Sequence, residues 1–479
     1  MQQLTGLDAA FLALDSPTAY GHVGSVSVLD PPAGGEALTL DRLTELIESR
    51  LHLVPLFRRR LVEVPFGVDQ PYWIEDPDFD IEFHVRELAL PAPGDDRQLA
   101  VQAARLHARP LDRRRPLWEA YLIHGLHGGR QAVYIKVHHA AIDGVSGNDL
   151  LAALMDTSPQ PEQAEEPDSW RPEAPPSTSR LLARSAVSLA ANPVRAVRVS
   201  AGIVRSLPAL VSSPARPWLP LIDRFVVRRG RGVILPAPPL IAPATPFNKN
   251  IGPHRRWAFT SVPLGEVKGI KNAAGVTVND VVMAMCAGAL RTWLQKHDAL
   301  PEGPLVAAVP VSIRTEEQKG THGNRVSAVI AALPTHLADP AGRLAAVHEA
   351  MRAAKEQHNA LPAELLTDIA QFSMPALANQ ANRLASRLRL LERVPPFNLF
   401  ISNVPGPTVD LYLCGARLDG VYPLSAIADG QGLNLTVLGS NGKLNFGALA
   451  DRDLVPDVDL IIDALNDELV ALSDAFGTG

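Results

Sequence analysis

Two adjacent histidines, His138 and His139, precede an aspartate–glycine pair, Asp143 and Gly144. The apolar run at 132–137 is rich in β-forming residues and predicts a strand that ends at the histidines. A side chain at such a strand end is held firmly while one face stays open to a ligand. A neutral imidazole there can take a proton from a hydroxyl group at physiological pH. The pattern therefore predicts a general base at His139, with Gly144 permitting a tight turn below it.

Other roles for the histidine pair have to be weighed beside this one. Adjacent residues of a strand point to opposite faces, so at most one of the two enters a given pocket. A buried histidine whose hydrogen bonds are satisfied is the commoner fate of any single histidine. A metal site would need a third ligand, which this spacing does not supply, and no cysteine pair lies nearby. Metal binding is therefore not expected.

Length and composition indicate a globular protein with two domains. The chain has 479 residues, of which 46% are hydrophobic, too many residues for one core and too apolar for disorder. No run of 18 or more apolar residues predicts a membrane-spanning helix, and no signal peptide is evident. The two cysteines, Cys286 and Cys414, are expected in a helix and a strand as buried thiols. We expect a cytoplasmic protein, soluble or peripheral to a membrane.

The charge is unevenly distributed around a net value of −6. Residues 174–265 hold thirteen lysines and arginines against one acid, Asp223, so this segment carries +12. Such asymmetry indicates a surface that meets anions, either phospholipid head groups or the phosphates of a soluble co-substrate. Nucleic acid is not expected, because the segment has no nucleic-acid-binding signature.

The helix and strand patterns and the distribution of proline divide the chain into three parts. Residues 1–156 and 251–479 alternate helix and strand patterns, whereas residues 157–250 are rich in proline and contain a basic helical stretch at 180–210. That stretch is expected either to lie on an anionic lipid surface or to connect the domains while packed on the protein itself. Thr277 is expected to cap a long helix at 278–297, and the strongest short hairpin signal is Asn441-Gly442.

Seven sequence blocks together resemble the wax ester synthase/diacylglycerol acyltransferase family, a branch of the CoA-dependent acyltransferase superfamily. The segment VHHAAIDG at 137–144, which contains His138 and His139, is similar to the HHxxxDG motif of that family. Six further blocks resemble family elements in the family order across nearly the whole chain: LTGLDAAFL at 4–12, DPDFD with FHV at 76–85, PLWE at 116–119, NDVV at 279–282, SNVPGP at 402–407 and PLS at 423–425.

The resemblance implies an α/β (α+β) fold of two chloramphenicol-acetyltransferase-like mixed-sheet domains, with the active site in a channel between them. It also implies transfer of a fatty acyl group from acyl-CoA to diacylglycerol or a long-chain alcohol. The chain has no GxSxG, GxGxxG or P-loop motif. A lone His/Asp pair suits direct transfer, in which a base deprotonates an alcohol that attacks a thioester. No bound cofactor is expected, with acyl-CoA as a co-substrate.

Other candidate site residues take supporting roles. His138 is expected to hold the turn through a backbone hydrogen bond, and Asp143 to form a structural salt bridge with Arg314, as the superfamily pattern implies. Asn279 opens a helix whose amide end favours negative charge, so it is a candidate for positioning the thioester or oxyanion. An ordinary first-turn residue is the equal alternative. Core packing is favoured over substrate contact for Trp118, and the role of Ser402 and Asn403 in substrate binding is expected only from their block.

Alternative functions keep the fold but change the chemistry. The acceptor could be a short alcohol, a sterol-like lipid or an amine. The chain could also be a non-catalytic lipid-surface protein, although the intact pair of His139 and Asp143 argues against it. The expected location is the cytoplasm, at the inner membrane or lipid droplets, through the basic segment 174–265.

Overall fold

Fifteen strands occur in the computed structural model, which describes residues 1–13, 15–31, 36–65, 69–141, 147–160, 170–191, 242–312, 326–359 and 395–478. The strands in these ranges are β1 (Gln2–Gln3), β2 (His22–Leu29), β3 (Arg59–Val62), β4 (Tyr72–Glu75), β5 (Val85–Ala89), β6 (Trp118–His124), β7 (Gln131–His138), β8 (Arg255–Pro263), β9 (Leu305–Ser312), β10 (Val326–Leu333), β11 (Leu399–Val404), β12 (Tyr412–Leu413), β13 (Ala416–Leu424), β14 (Leu433–Ser440) and β15 (Lys443–Asp451).

The α-helices of the same ranges cover the sheets. They are α1 (Gly6–Ala13), α2 (Leu40–Arg50), α3 (Ile81–His84), α4 (Asp96–His107), α5 (Gly147–Leu154), α6 (Thr178–Ala191), α7 (Leu264–Ala274), α8 (Val278–Lys296), α9 (Pro340–Asn359) and α10 (Asp459–Phe476). A short 3₁₀ turn at His139–Ala141 follows β7 directly.

Two six-stranded mixed sheets form the framework. The first has the order β12-β13-β2-β7-β6-β5, and the second the order β10-β9-β11-β14-β15-β8. Most neighbours are antiparallel, but β5 runs parallel to β6, and β11 runs parallel to both β9 and β14. Three short strands, β1, β4 and β3, form a separate small sheet.

Strand β13 joins the two halves of the chain. Although it lies late in the sequence, it pairs antiparallel with β2 in the first sheet, with Tyr422 opposite Val26. The Trp257 Nε1–H of β8 in the second sheet donates to the Pro423 carbonyl of this strand at 3.1 Å. Sheet membership therefore crosses the predicted division into 1–156, 157–250 and 251–479, and that division stays a prediction.

Local sequence signals explain where several elements begin. Thr277 caps α8 in a capping box with Asp280, as predicted, and Asp95 with Gln98 does the same for α4. The hairpin of β14 and β15 turns at Asn441 and Gly442, whose φ angles of 46° and 73° suit a tight two-residue turn.

Helix α8 lies in the core of the second half. Its residues from Val281 to Leu290 are buried on all sides, against the second sheet, α9 and α10. Over the described ranges, no single helix is long and apolar enough to span a bilayer. Helices α7 and α8 together pass such a test by length and composition, with a bend of 103° between them.

Three element predictions need correction or fall partly outside the structure. Cys414 is free and buried as expected, but it lies in the turn between β12 and β13 with φ 49°, not in a strand. The closing helix begins at Asp459 rather than at 454, because the residues before it form turns. The helix predicted at 180–210 is seen as α6, and residues beyond 191 lie outside the described ranges.

Candidate active site

Strand β7 is an interior strand of the first sheet, and the histidine pair lies at its C-terminal end. It ends at His138, and His139 opens the 3₁₀ turn. The His139 backbone N–H donates to the carbonyl of Gly21 at 2.7 Å, which ties the turn to the residue before β2. Asp143 and Gly144 lie outside the described residues, as does Arg314, so the proposed Asp143–Arg314 salt bridge stays a prediction.

The His139 imidazole is half-buried and lies against an aromatic ring. It stacks on Phe11 of α1 with ring centroids 3.9 Å apart and an interplanar angle of 18°. Its Nδ1 atom is buried and has no hydrogen-bond partner among the described residues. Burial lowers the pKa of His139 from 6.5 to about 4, because the charged form would lose its hydration. The ring is therefore neutral and able to accept a proton at physiological pH.

His138 bridges the turn to an acidic residue near the N-terminus. Its Nδ1 accepts the Ala140 backbone N–H at 3.1 Å, which confirms the predicted backbone hydrogen bond. Its Nε2 lies 3.3 Å from each carboxylate oxygen of Asp15. Because Nδ1 is the acceptor, the ring proton of a neutral His138 is on Nε2 and points to Asp15.

Asp15 is a site residue that the sequence analysis missed. Besides His138, it accepts the Gly21 backbone N–H at 2.6 Å and an Nη2–H of Arg113 at 2.9 Å. Burial raises the pKa of Asp15, but these hydrogen bonds outweigh it and leave the pKa below its ordinary value of 3.8. Asp15 lies 123 positions before His138, so no local spacing links the two. Its position just after the first family-like block was the one available signal.

The second half brings two other predicted site residues together. Asn403 Nδ2 on β11 donates to Asn279 Oδ1 at the start of α8, over 3.3 Å. Both side chains are half-buried. The neighbouring Asp280 accepts the backbone N–H of the cap residue Thr277 at 2.9 Å and accepts from His348 Nδ1 at 2.8 Å, so the first turn of α8 is held from two sides. Ser402 is half-buried beside Thr436 in the parallel ladder.

Trp118 lies in the core of the first half. Its ring is sandwiched between Phe57 and His84, with centroid distances of 4.4 and 4.5 Å, and its Nε1–H donates to the Phe57 carbonyl. With 1% of its surface exposed, it fits the core-packing alternative. Substrate contact by Trp118, Ser402 or Asn403 stays a prediction.

A shared apolar cluster reaches from the histidine turn to the second sheet. Ala140 and Ala141 belong to the same buried cluster as Leu438 of β14. Leu438 is the ladder partner of Val404, which directly follows Asn403. The same packing thus supports the turn after His139 and the end of the strand that carries Asn403.

The described residues of the basic segment 174–265 include both exposed and buried arginines. Arg180 and Arg184 are exposed on α6, near Val187, whose surface is 69% exposed. Leu181 on the opposite side packs on Val64 and Tyr72 of the first half. Arg255, however, is buried and donates to the Thr18 carbonyl, so it is a structural residue and is removed from the expected anion-binding surface.

Metal ligation finds no support in the described ranges. They contain no group of three or more histidine, cysteine, aspartate or glutamate side chains placed to hold an ion.

The chain is similar to known proteins over nearly its whole length. A model of the wax ester synthase/diacylglycerol acyltransferase catalytic domain matches residues 4–282, and a model of the corresponding C-terminal domain matches residues 322–473. A Mycobacterium tuberculosis relative named as a probable diacylglycerol O-acyltransferase is 38% identical over 476 residues, which are 98% of each chain.

Solved structures extend the likeness to the fold. The wax ester synthase/diacylglycerol acyltransferase from Marinobacter aquaeolei VT8 superposes with a TM-score of 0.71 at 29% identity, covering 99% of this chain and 100% of that one. The starter condensation domain of rhizomide synthetase, at 14% identity, covers 99% of this chain and 95% of its own with a TM-score of 0.54, and shows the shared fold alone.

These likenesses and the two mixed sheets confirm the predicted two-domain α/β fold and the O-acyltransferase class. The chain belongs to the wax ester synthase/diacylglycerol acyltransferase family.

Proposed function

We propose that this protein transfers a fatty acyl group from acyl-CoA to the hydroxyl of diacylglycerol, and also to long-chain alcohols, with His139 as the general base. The observation that carries the proposal is a half-buried, neutral imidazole directly after β7 in a chain that belongs to this family. The relative's printed name supports diacylglycerol as the acceptor.

The reaction requires one proton to move while one bond forms and another breaks. His139 accepts the hydroxyl proton as the acceptor oxygen attacks the thioester carbonyl. The C–O bond forms, the C–S bond breaks, and the proton passes from the imidazolium to the departing CoA sulfur. Because the pKa of His139 is about 4, a free alkoxide is not a feasible intermediate. Proton transfer is therefore coupled to the formation of the C–O bond.

Asn279 is proposed to act on the thioester side of the reaction. Its Oδ1 atom accepts from Asn403, so the amide N–H groups of Asn279 are the ones available to a developing negative charge. The N-terminal end of α8 favours an anion in the same place. Asp280 and His348 would keep this first turn fixed while the charge forms.

Association with a lipid surface is the second part of the proposal. Diacylglycerol and long-chain alcohols are nearly insoluble, so the enzyme needs to approach the surface that contains them. The exposed Arg180, Arg184 and Val187 of α6 combine cationic and apolar groups on one helix, as interfacial helices do. We propose a cytoplasmic enzyme that binds peripherally to the inner membrane or to lipid droplets.

The test is a product-resolved assay with purified protein. Labelled palmitoyl-CoA is offered with diacylglycerol and with hexadecanol, in parallel and in competition, and the lipid products are separated chromatographically. The proposal expects triacylglycerol, with wax ester as a second product. A short alcohol and an amine are offered in separate reactions, and transfer to one of these but to neither lipid acceptor would assign the protein to the alternative acyltransferase reaction.

A further inference from the structure

Two separate hydrogen-bond routes connect Asp15 with the backbone that carries His139. The first route passes through Gly21. The Gly21 N–H donates to Asp15 Oδ1 at 2.6 Å, while the Gly21 carbonyl accepts the His139 N–H at 2.7 Å. Gly21 alone therefore links the Asp15 carboxylate to the backbone nitrogen of His139, so a shift of the carboxylate would shift that nitrogen.

The second route passes through His138. His138 Nε2–H donates to the Asp15 carboxylate. His138 Nδ1 in turn accepts a hydrogen bond from the backbone N–H of Ala140, the residue after His139. The routes meet the turn at the amides of two successive residues. Asp15 is therefore placed to fix the direction in which the His139 side chain leaves the backbone.

The position of Gly21 leaves little room for a side chain. A Cβ atom added at Gly21 would lie 3.1 Å from the Phe11 carbonyl oxygen and 3.2 Å from His138 Nε2. A larger residue at this position would therefore push these two groups away by a few tenths of an ångström. The same segment before β2 also supplies Phe11, the ring on which His139 stacks.

We infer that Asp15 is a positioning residue for His139, acting through Gly21 and His138, with Arg113 holding its carboxylate. The inference rests on the proposed function, since it assumes that His139 is the base. Arg113 donates to Asp15 and to the Leu12 carbonyl, which ties the carboxylate to the end of α1. A carboxylate suits this position because three donors converge on two acceptor oxygens.

The test compares Asp15→Asn in two backgrounds. Asparagine keeps the shape but offers one acceptor oxygen to three donors, so the turn should shift and kcat should fall by roughly 10- to 100-fold. The KM for palmitoyl-CoA should change by less than about 3-fold, since no substrate contact is removed. In the His138→Ala background, the same substitution should cost a smaller factor than it does in wild type, because only the route through Gly21 is left to lose.

Asp76→Asn provides the matched control. Asp76 is a buried carboxylate that also pairs with an arginine, Arg60, at 3.2 Å, without contact to the histidine turn. Its loss should leave kcat within about 2-fold of wild type. A fall equal to that of Asp15→Asn would mean that any lost buried carboxylate impairs the enzyme, and it would overturn the positioning role.

Further outcomes separate the inference from the proposed function. If folded Asp15→Asn keeps the wild-type kcat, or loses the same factor with and without His138, the inference is wrong. His139→Ala is measured beside it, and a wild-type rate there would reject the proposed base instead. Should Asp15→Asn fail to fold, ¹⁵N NMR of the wild-type histidines decides, because the inference requires the Nε2–H tautomer of His138 and a proton on Nδ1 contradicts it.

Discussion

Acid should destabilise this protein steeply, because its fold buries several histidines in the neutral form. Burial lowers the pKa of His84 and of His139 to about 4 and that of His107 to about 3. The pKa of His22 is also lowered, again mainly by burial. In the unfolded chain each imidazole has a pKa near 6.5. The unfolded state therefore binds more protons as the pH falls from about 6.5 toward 4, and stability is lost across that window.

The size of the effect follows from the linkage relation. For a histidine with a folded pKa of about 4, lowering the pH from 7 to 5 costs roughly 2 kcal/mol of unfolding free energy. His84, His107 and His139 together give a loss of roughly 6 kcal/mol. That is a large part of the 5–15 kcal/mol that usually stabilises a domain, so the denaturation midpoint should move strongly.

Denaturant unfolding followed by circular dichroism at pH 7, 6 and 5 measures this loss. The variant that tests the cause is His84→Phe, which keeps the ring stack on Trp118 and loses one hydrogen bond, to the Trp118 carbonyl. It should remove roughly 2 kcal/mol of the pH-dependent loss. The control, His127→Gln, alters an exposed histidine and should leave the dependence as in wild type. A midpoint that does not change between pH 7 and pH 5 would refute the reasoning.

Three other predictions concern the sheets, the salt bridge and the lipid surface. Gly447→Ala should cost about 1–3 kcal/mol of stability, because a Cβ there overlaps the Pro423 carbonyl where the two sheets meet. Gly303→Ala is the control, because the space around Gly303 is open. Equal denaturation midpoints for the two variants would contradict the packing argument. Asp143→Asn should lower both stability and activity, and adding Arg314→Met should cost less than the sum; a double-mutant cycle without coupling would reject the pair. Replacing Arg180, Arg184, Arg195 and Arg198 with Gln should weaken co-sedimentation with anionic liposomes at low salt, since each basic residue near such a surface contributes up to about 1 kcal/mol; unchanged binding with a raised KM for acyl-CoA would assign these residues to the CoA phosphates.

Local signals predicted the elements that carry the site. The strand before His139, the capped helix at Asn279 and the hairpin at Asn441 depend on periodicity, capping and turn residues within a few positions of each other. The family-like blocks supplied the fold class, which composition and periodicity alone could not have specified.

Long-range contacts were not available from the same signals. Asp15 contacts His138 across 123 positions of the chain. Strand β13, late in the sequence, pairs with β2 near the N-terminus, with Tyr422 opposite Val26. Such pairings depend on the whole topology and leave no local periodicity. The burial of Arg255 shows the same limit, since net charge along a segment does not tell which cation is enclosed between the two halves.

The central claim is that His139 removes the acceptor proton, and His139→Gln tests it most directly. Glutamine retains a polar side chain of similar reach without a basic nitrogen, so binding of palmitoyl-CoA and the fold should persist. In the product-resolved assay with diacylglycerol, kcat should fall by ~10²–10⁴ while circular dichroism and the KM for palmitoyl-CoA stay close to wild type. A folded His139→Gln enzyme that makes triacylglycerol at a rate near that of wild type would contradict the account.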